Sequence, residues 1–164
     1  MTATQKTVVF SEETLNNLVE DPIAVLNRGY RAKERIAARQ ERIRSWRQIA
    51  ESITANPENM PSGNGPSNKV EKAVLSIITL EEEITDEIAE IAGYEVENGR
   101  ILRFFVVEPN YRAVLEHRYL EYKPWEAIAV EMGYTFRWTQ ELHRRAVQVL
   151  RDAVADYLGE KKAR

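Results

Sequence analysis

The chain has 164 residues, 43% of them hydrophobic and 30% charged, and its formal net charge is −3. It has seven glycines and no cysteine, which favours helices with long solvated faces and excludes a disulfide framework, thiol chemistry and a cysteine zinc site. No apolar run approaches the roughly 20 residues of a membrane span. With no basic-then-apolar leader pattern at its start, the chain is expected to be a soluble protein of the cytoplasm, without a membrane partner. Charge is unevenly spread: residues 1–66, 67–108 and 109–164 net +1, −6 and +2.

Residues 1–21 read as a weakly structured segment, although Ser11 followed by Glu12 and Glu13 is suited to cap a short helix through Val19. Asp21-Pro22 is a stronger start, a good cap before a proline at the first helical position. From there to about Thr54 the only punctuator is Gly29. Ile36, Ile43 and Ala50 recur every seven residues, with Trp46 and Ile53 three later and Arg39 as a flaw at one d position. The rest of this helix is basic, through Arg28, Arg31, Lys33, Arg35, Arg42, Arg44 and Arg47.

The stretch 55–67 holds three prolines and two glycines and breaks the helix. A second helix then starts at Ser67 or Asn68, with Asn68-x-x-Glu71 fitting a capping box. Val70, Ile77, Ile84 and Ile91 form its seven-residue repeat, with Ala73, Leu80 and Tyr94 as d partners. It is acidic, carries weak points at Gly93 and Asn98-Gly99, and extends towards Val107. Residues 22–107 are therefore expected to form an antiparallel coiled-coil-like hairpin that serves as a homo-oligomerisation arm. The basic run 28–47 reads first as facing solvent and the acidic helix, with a second DNA surface as the alternative.

Residues 109–158 read as a helix-turn-helix bundle, leaving 159–164 as a tail. Trp125 to Met132 is a short helix, Gly133-Tyr134 a turn, and Thr135 the cap of a long final helix. Two sharply crossing helices need a small residue at the contact, which Ala129 supplies, and the turn needs a residue that accepts positive φ, which Gly133 supplies. Ile128, Met132, Tyr134 and Leu142 fall on the inner faces, and Ala146, Val149, Leu150, Ala153 and Tyr157 continue the stripe. Phe136, Arg137, Gln140, Glu141, Arg144 and Arg151 then face outward. In such units the start of the second helix enters the major groove, where Arg suits guanine, Gln adenine and Glu the cytosine amino group. Thr135 and Phe136 lie at that entrance. Arg137, Gln140, Glu141 and Arg144 are the expected base contacts, and Lys123, Arg145 and Arg151 the expected phosphate contacts. Trp138 lies near the same side but is read as packing on its own domain. For His143, phosphate contact and packing beside Leu142 remain equal alternatives.

Residues 111–150 resemble the promoter-reading C-terminal region of bacterial sigma factors. They resemble still more the sigma-like domain of small phage and prophage regulators of late genes. The likeness rests on Arg118-Tyr119, Trp125-Glu126-Ala127-Ile128-Ala129, Gly133-Tyr134 and Leu142-His143, and upstream on MPSGNGPSNKVEKAV at 60–74. Pro124 stands where that group has a Ser or Thr cap, and Thr139 where it has an aliphatic residue. The resemblance implies a phage-type transcriptional regulator in the host cytoplasm, with double-stranded DNA and host RNA polymerase as partners. The segment by which sigma factors bind polymerase and melt promoters is not expected here.

A competing expectation is a phage packaging subunit in which the hairpin drives assembly, although such proteins usually place the helix-turn-helix first. Glu81-Glu82-Glu83 is read as a solvated face, SGNG at 62–65 lacks the Gly-Lys-Ser/Thr of a phosphate loop, and no nucleophile–base pair has meaningful spacing. No enzyme, no cofactor and no metal site is expected, and the fold class is all-α.

Overall fold

The computed structural model describes residues 9–56 and 66–164, and the helix-breaking stretch expected at 55–67 lies largely outside them. The described residues are all-helical. The elements are α1 (Glu12–Glu20), α2 (Pro22–Leu26), α3 (Arg28–Ala55), α4 (Pro66–Phe105), α5 (Pro109–Tyr119), α6 (Trp125–Met132) and α7 (Phe136–Lys162). None is long and apolar enough to cross a membrane. The chain divides into two compact units. One comprises the chain up to Arg28 together with Tyr94–Arg164, and the other is Gly29–Gly93.

In the second unit α3 and α4 pair as an antiparallel hairpin on the heptad seams. Ile43, Ala73 and Leu80 are buried, and Ile36, Trp46, Ala50, Ile53, Val70, Ile77, Ile84 and Ile91 half-buried. Arg39 sits on the seam as expected, and the acidic repeat has a matching charge at its own open d position, Glu87. The two meet, with Arg39 Nη1 3.1 Å from Glu87 Oε1. Arg35 grips the same carboxylate through Nε and Nη2, both at 2.7 Å, and Arg39 Nε reaches Glu83 at 2.7 Å. The flaw in one seam and the gap in the other are thus one polar layer.

The first unit departs from the expected boundaries. Residues 9–21, the described part of the segment expected to be weakly structured, fold instead: Ser11 caps α1 by accepting from the Thr14 N–H, and Leu15 and Leu18 are fully buried. They join a core with Leu26, Ile101, Leu102, Val106, Val114, Leu115, Ile128, Leu150 and Val154. The bundle expected over 109–158 is therefore completed by the N-terminal helices and the end of α4. Helix α7 also runs through most of the expected tail.

The single helix expected from Asp21-Pro22 is interrupted at Asn27, where α2 ends. The Leu26 carbonyl, on the last residue of α2, accepts from Asn98 Nδ2 at 3.0 Å. Asn98 is 1% exposed, so the residue read as a weak point instead fastens α4 to α2. Neither Gly93 nor Asn98-Gly99 breaks α4, which is already helical at Pro66, ahead of the capping box proposed at Asn68 and Glu71.

Candidate nucleic-acid interface

Helices α6 and α7 meet through a tight turn. Gly133 has φ 71° and ψ 31°, in the left-handed region. The Tyr134 N–H donates to the Ala129 carbonyl at 2.9 Å and the Gly133 N–H to that of Val130 at 3.2 Å, the paired bonds that close a helix on a left-handed residue. Ala129 is buried at 5% exposure and Ile128 completely, so the small residue and the apolar partner are where the crossing needs them. Thr135 then caps α7, its hydroxyl accepting from the Trp138 N–H at 3.1 Å. Pro124 leads α6 without a side-chain cap. Thr139 is completely buried, yet its hydroxyl is satisfied by donating to the Thr135 carbonyl at 2.9 Å. A threonine therefore substitutes for an aliphatic residue without leaving a polar group unpaired.

The residues that carry the sequence resemblance are scattered along the chain and gathered in space. Tyr119 Oη lies 2.8 Å from His143 Nε2, and the Trp125 and His143 rings meet edge to face with centroids 4.8 Å apart. The Arg118 guanidinium covers the Trp125 ring at 4.7 Å, and its Nη1 donates to the Lys123 carbonyl at 3.0 Å. This cluster fixes α5, the following loop, α6 and α7 to one another. His143 packs here rather than pointing to solvent. Burial, with Arg118 second, holds its pKa down at about 4, and burial pushes Tyr119 up to about 12. At neutral pH the imidazole is uncharged and the phenol keeps its proton.

The opposite face of α7 is open. Thr135, Phe136, Arg137, Gln140 and Arg144 are exposed, and Thr135, Arg137, Gln140 and Arg144 line a shallow concavity of about 600 Å³. Glu141 and Arg145 line it too, and so does Trp138, which is 38% exposed rather than packed away. The Arg145 guanidinium lies over the Trp138 ring at 5.1 Å. Glu141 is engaged: it accepts from Arg144 Nε and Nη2 at 3.0 and 2.8 Å and from Arg145 Nε at 2.8 Å. These bonds hold its carboxyl down at about 2.

The two remaining expected phosphate contacts are placed differently. Lys123 Nζ sits among Glu121, Glu131 and His117 Nδ1, the last at 3.3 Å. Hydrogen bonds from Lys123 and then His117 lower the Glu121 pKa. The His117, Glu121 and Glu131 ligand atoms all lie within 4.8 Å of one another, a spacing open to a metal ion, and the ammonium fills the space between the carboxylates. Arg151 is half-buried, its Nε enclosed without a hydrogen-bond partner among the described residues. The sharing of Glu141 by two arginines at i+3 and i+4 was open to sequence reasoning by spacing alone. The Lys123 cage joins residues of a loop and two helices, and no periodicity announces it.

No family model matches the chain, and no curated protein or solved structure matches it significantly.

Proposed function

We propose that this chain is a sequence-specific DNA-binding transcriptional regulator that reads the major groove of promoter DNA with the first turns of α7. One observation carries the reading. Directly after the left-handed turn at Gly133 and the Thr135 cap, four side chains able to contact bases or methyl groups stand on one exposed face: Phe136, Arg137, Gln140 and Arg144. A merely solvated helix has no need of a clamped turn leading into arginine and glutamine on a single stripe. The opposite face is committed to the core through Leu142, Ala146 and Leu150, so the stripe is presented rigidly. The sequence likeness to phage late-gene regulators supports a role at promoters alongside host RNA polymerase. The chemistry at hand is recognition, not turnover.

The test is binding of the full chain to duplex fragments at two salt concentrations, beside the double variant Arg137→Ala/Arg144→Ala. Wild type is expected to select a fragment, and the double variant to lose about tenfold or more per base contact. Failure of wild type to bind any duplex at low salt, where phosphate attraction is strongest, would end this reading.

A packaging or assembly role is the second reading. It is favoured by the hairpin, whose Ile49, Val74, Leu75 and Ile78 are 44–58% exposed. Sedimentation distinguishes the two: a dimer or other small oligomer fits regulation, and a closed ring of many subunits fits assembly.

A further inference from the structure

Glu141 lies in the middle of the exposed stripe of α7, where a carboxylate repels DNA phosphate. Its partners explain its presence. A carboxylate offers about four lone-pair sites, and Arg144 and Arg145 take three of them. The Arg144 guanidinium gives Glu141 one of its two forks, Nε with one hydrogen of Nη2. The other fork, Nη1 with the second hydrogen of Nη2, has no partner among the described residues, on a side chain that is 72% exposed. Two parallel donors of that kind are what guanine O6 and N7 accept. Arg145 is held on its other side by Trp138, so its charge is drawn along the helix. Arg137 has no ion pair among the described residues. The stripe therefore contains one free arginine, one buttressed arginine and one tethered arginine.

We infer that Glu141 does not read a base itself but is a positioning residue, holding Arg144 for a single guanine and restraining Arg145 from the phosphates. This rests on α7 being the DNA-reading helix. An arginine already fixed in one rotamer loses less freedom on docking and accepts fewer alternative partners. A carboxylate beside the groove also weakens attraction to every duplex alike. Glu141 thus trades general affinity for discrimination at one base pair.

The experiment uses the full chain and a duplex selected by wild type from a random pool. Affinities are measured for wild type, Glu141→Gln and Arg144→Ala on this duplex, on a scrambled duplex, and on copies in which single guanines become 7-deazaguanine. Replacing one particular guanine is expected to cost wild type about tenfold and each variant less than about twofold. Glu141→Gln should also bind the scrambled duplex several-fold more tightly, with its log–log salt slope steeper by about 0.9 as Arg145 finds a phosphate. Thermal melting of each variant separates loss of one contact from loss of fold. If wild type selects a site but no guanine is sensitive, or Glu141→Gln keeps the full 7-deaza effect, the positioning role is wrong and DNA reading by α7 stands. If wild type selects nothing and binds no duplex at low salt, both fall.

Discussion

The Tyr119 hydroxyl and His143 Nε2, 2.8 Å apart, tie the end of α5 to the first third of α7. Because burial holds His143 near a pKa of about 4, the folded protein resists a proton that the unfolded chain accepts from about pH 6.5 downward. The stabilisation from this depressed pKa is complete above pH 6.5 and is lost as pH falls towards 4, by about 3 kcal/mol in all. Urea unfolding at pH 7.5 and pH 5 is expected to show a clear drop that His143→Gln largely removes. His117→Gln is the control for the other histidine. An unchanged slope in His143→Gln would refute the assignment.

The turn at Gly133 makes a second prediction. A Cβ there would meet nothing within 4 Å, so Gly133→Ala tests the backbone conformation alone. At φ 71° an L-residue costs about 1–2 kcal/mol. Gly133→Asn should cost less than Gly133→Ala, because asparagine tolerates the left-handed region better. Thr135→Ala, which removes the cap of α7, is expected to cost about 1 kcal/mol. Equal stability of Gly133→Ala and wild type in urea titrations would contradict the turn.

Readability from sequence followed the range of the interactions. The seams of α3 and α4, the Gly133 turn and the inner stripe of α7 rest on residues three, four or seven apart, and the amino-acid pattern exposes them directly. The fate of α1 does not: Leu15 and Leu18 show two apolar positions on a short helix, and only the chain's long-range folding brings them to α7. The same holds for Asn98. Next to a glycine it looks like a helix breaker, whereas a carbonyl 72 residues earlier makes it a fastener. On the candidate interface, position along α7 identified the exposed stripe but not which arginines were already engaged.

The Arg39–Glu87 layer invites a double replacement. Glu87 is 8% exposed and held by Arg35 and Arg39, whose hydrogen bonds and charges lower its pKa. Removing only the acid leaves two arginines crowded at a seam, and Glu87→Ala should lower the melting temperature. Replacing both charges with leucine restores an uninterrupted apolar seam, and Arg39→Leu/Glu87→Leu is expected to melt at or above wild type. The gain should come with loss of register, since a polar layer penalises sliding by one heptad. Calorimetry tests the stability. Disulfide trapping between α3 and α4 tests the register, and trapping in several registers only in the double variant is the expected result.

Lys123 separates a salt-bridge role from a DNA role. Its ammonium is surrounded by Glu121, Glu131 and His117, and the hydrogen bonds to Glu121 and then Glu131 raise its own pKa. A phosphate contact would require it to leave two carboxylates facing each other. Lys123→Ala is therefore expected to leave the log–log salt slope of DNA binding unchanged, whereas a true phosphate contact would flatten it by about 0.9. The variant should instead be less stable at neutral pH, because Glu121 and Glu131 are left facing each other without the ammonium between them. A flattened slope with undiminished stability would return Lys123 to the interface.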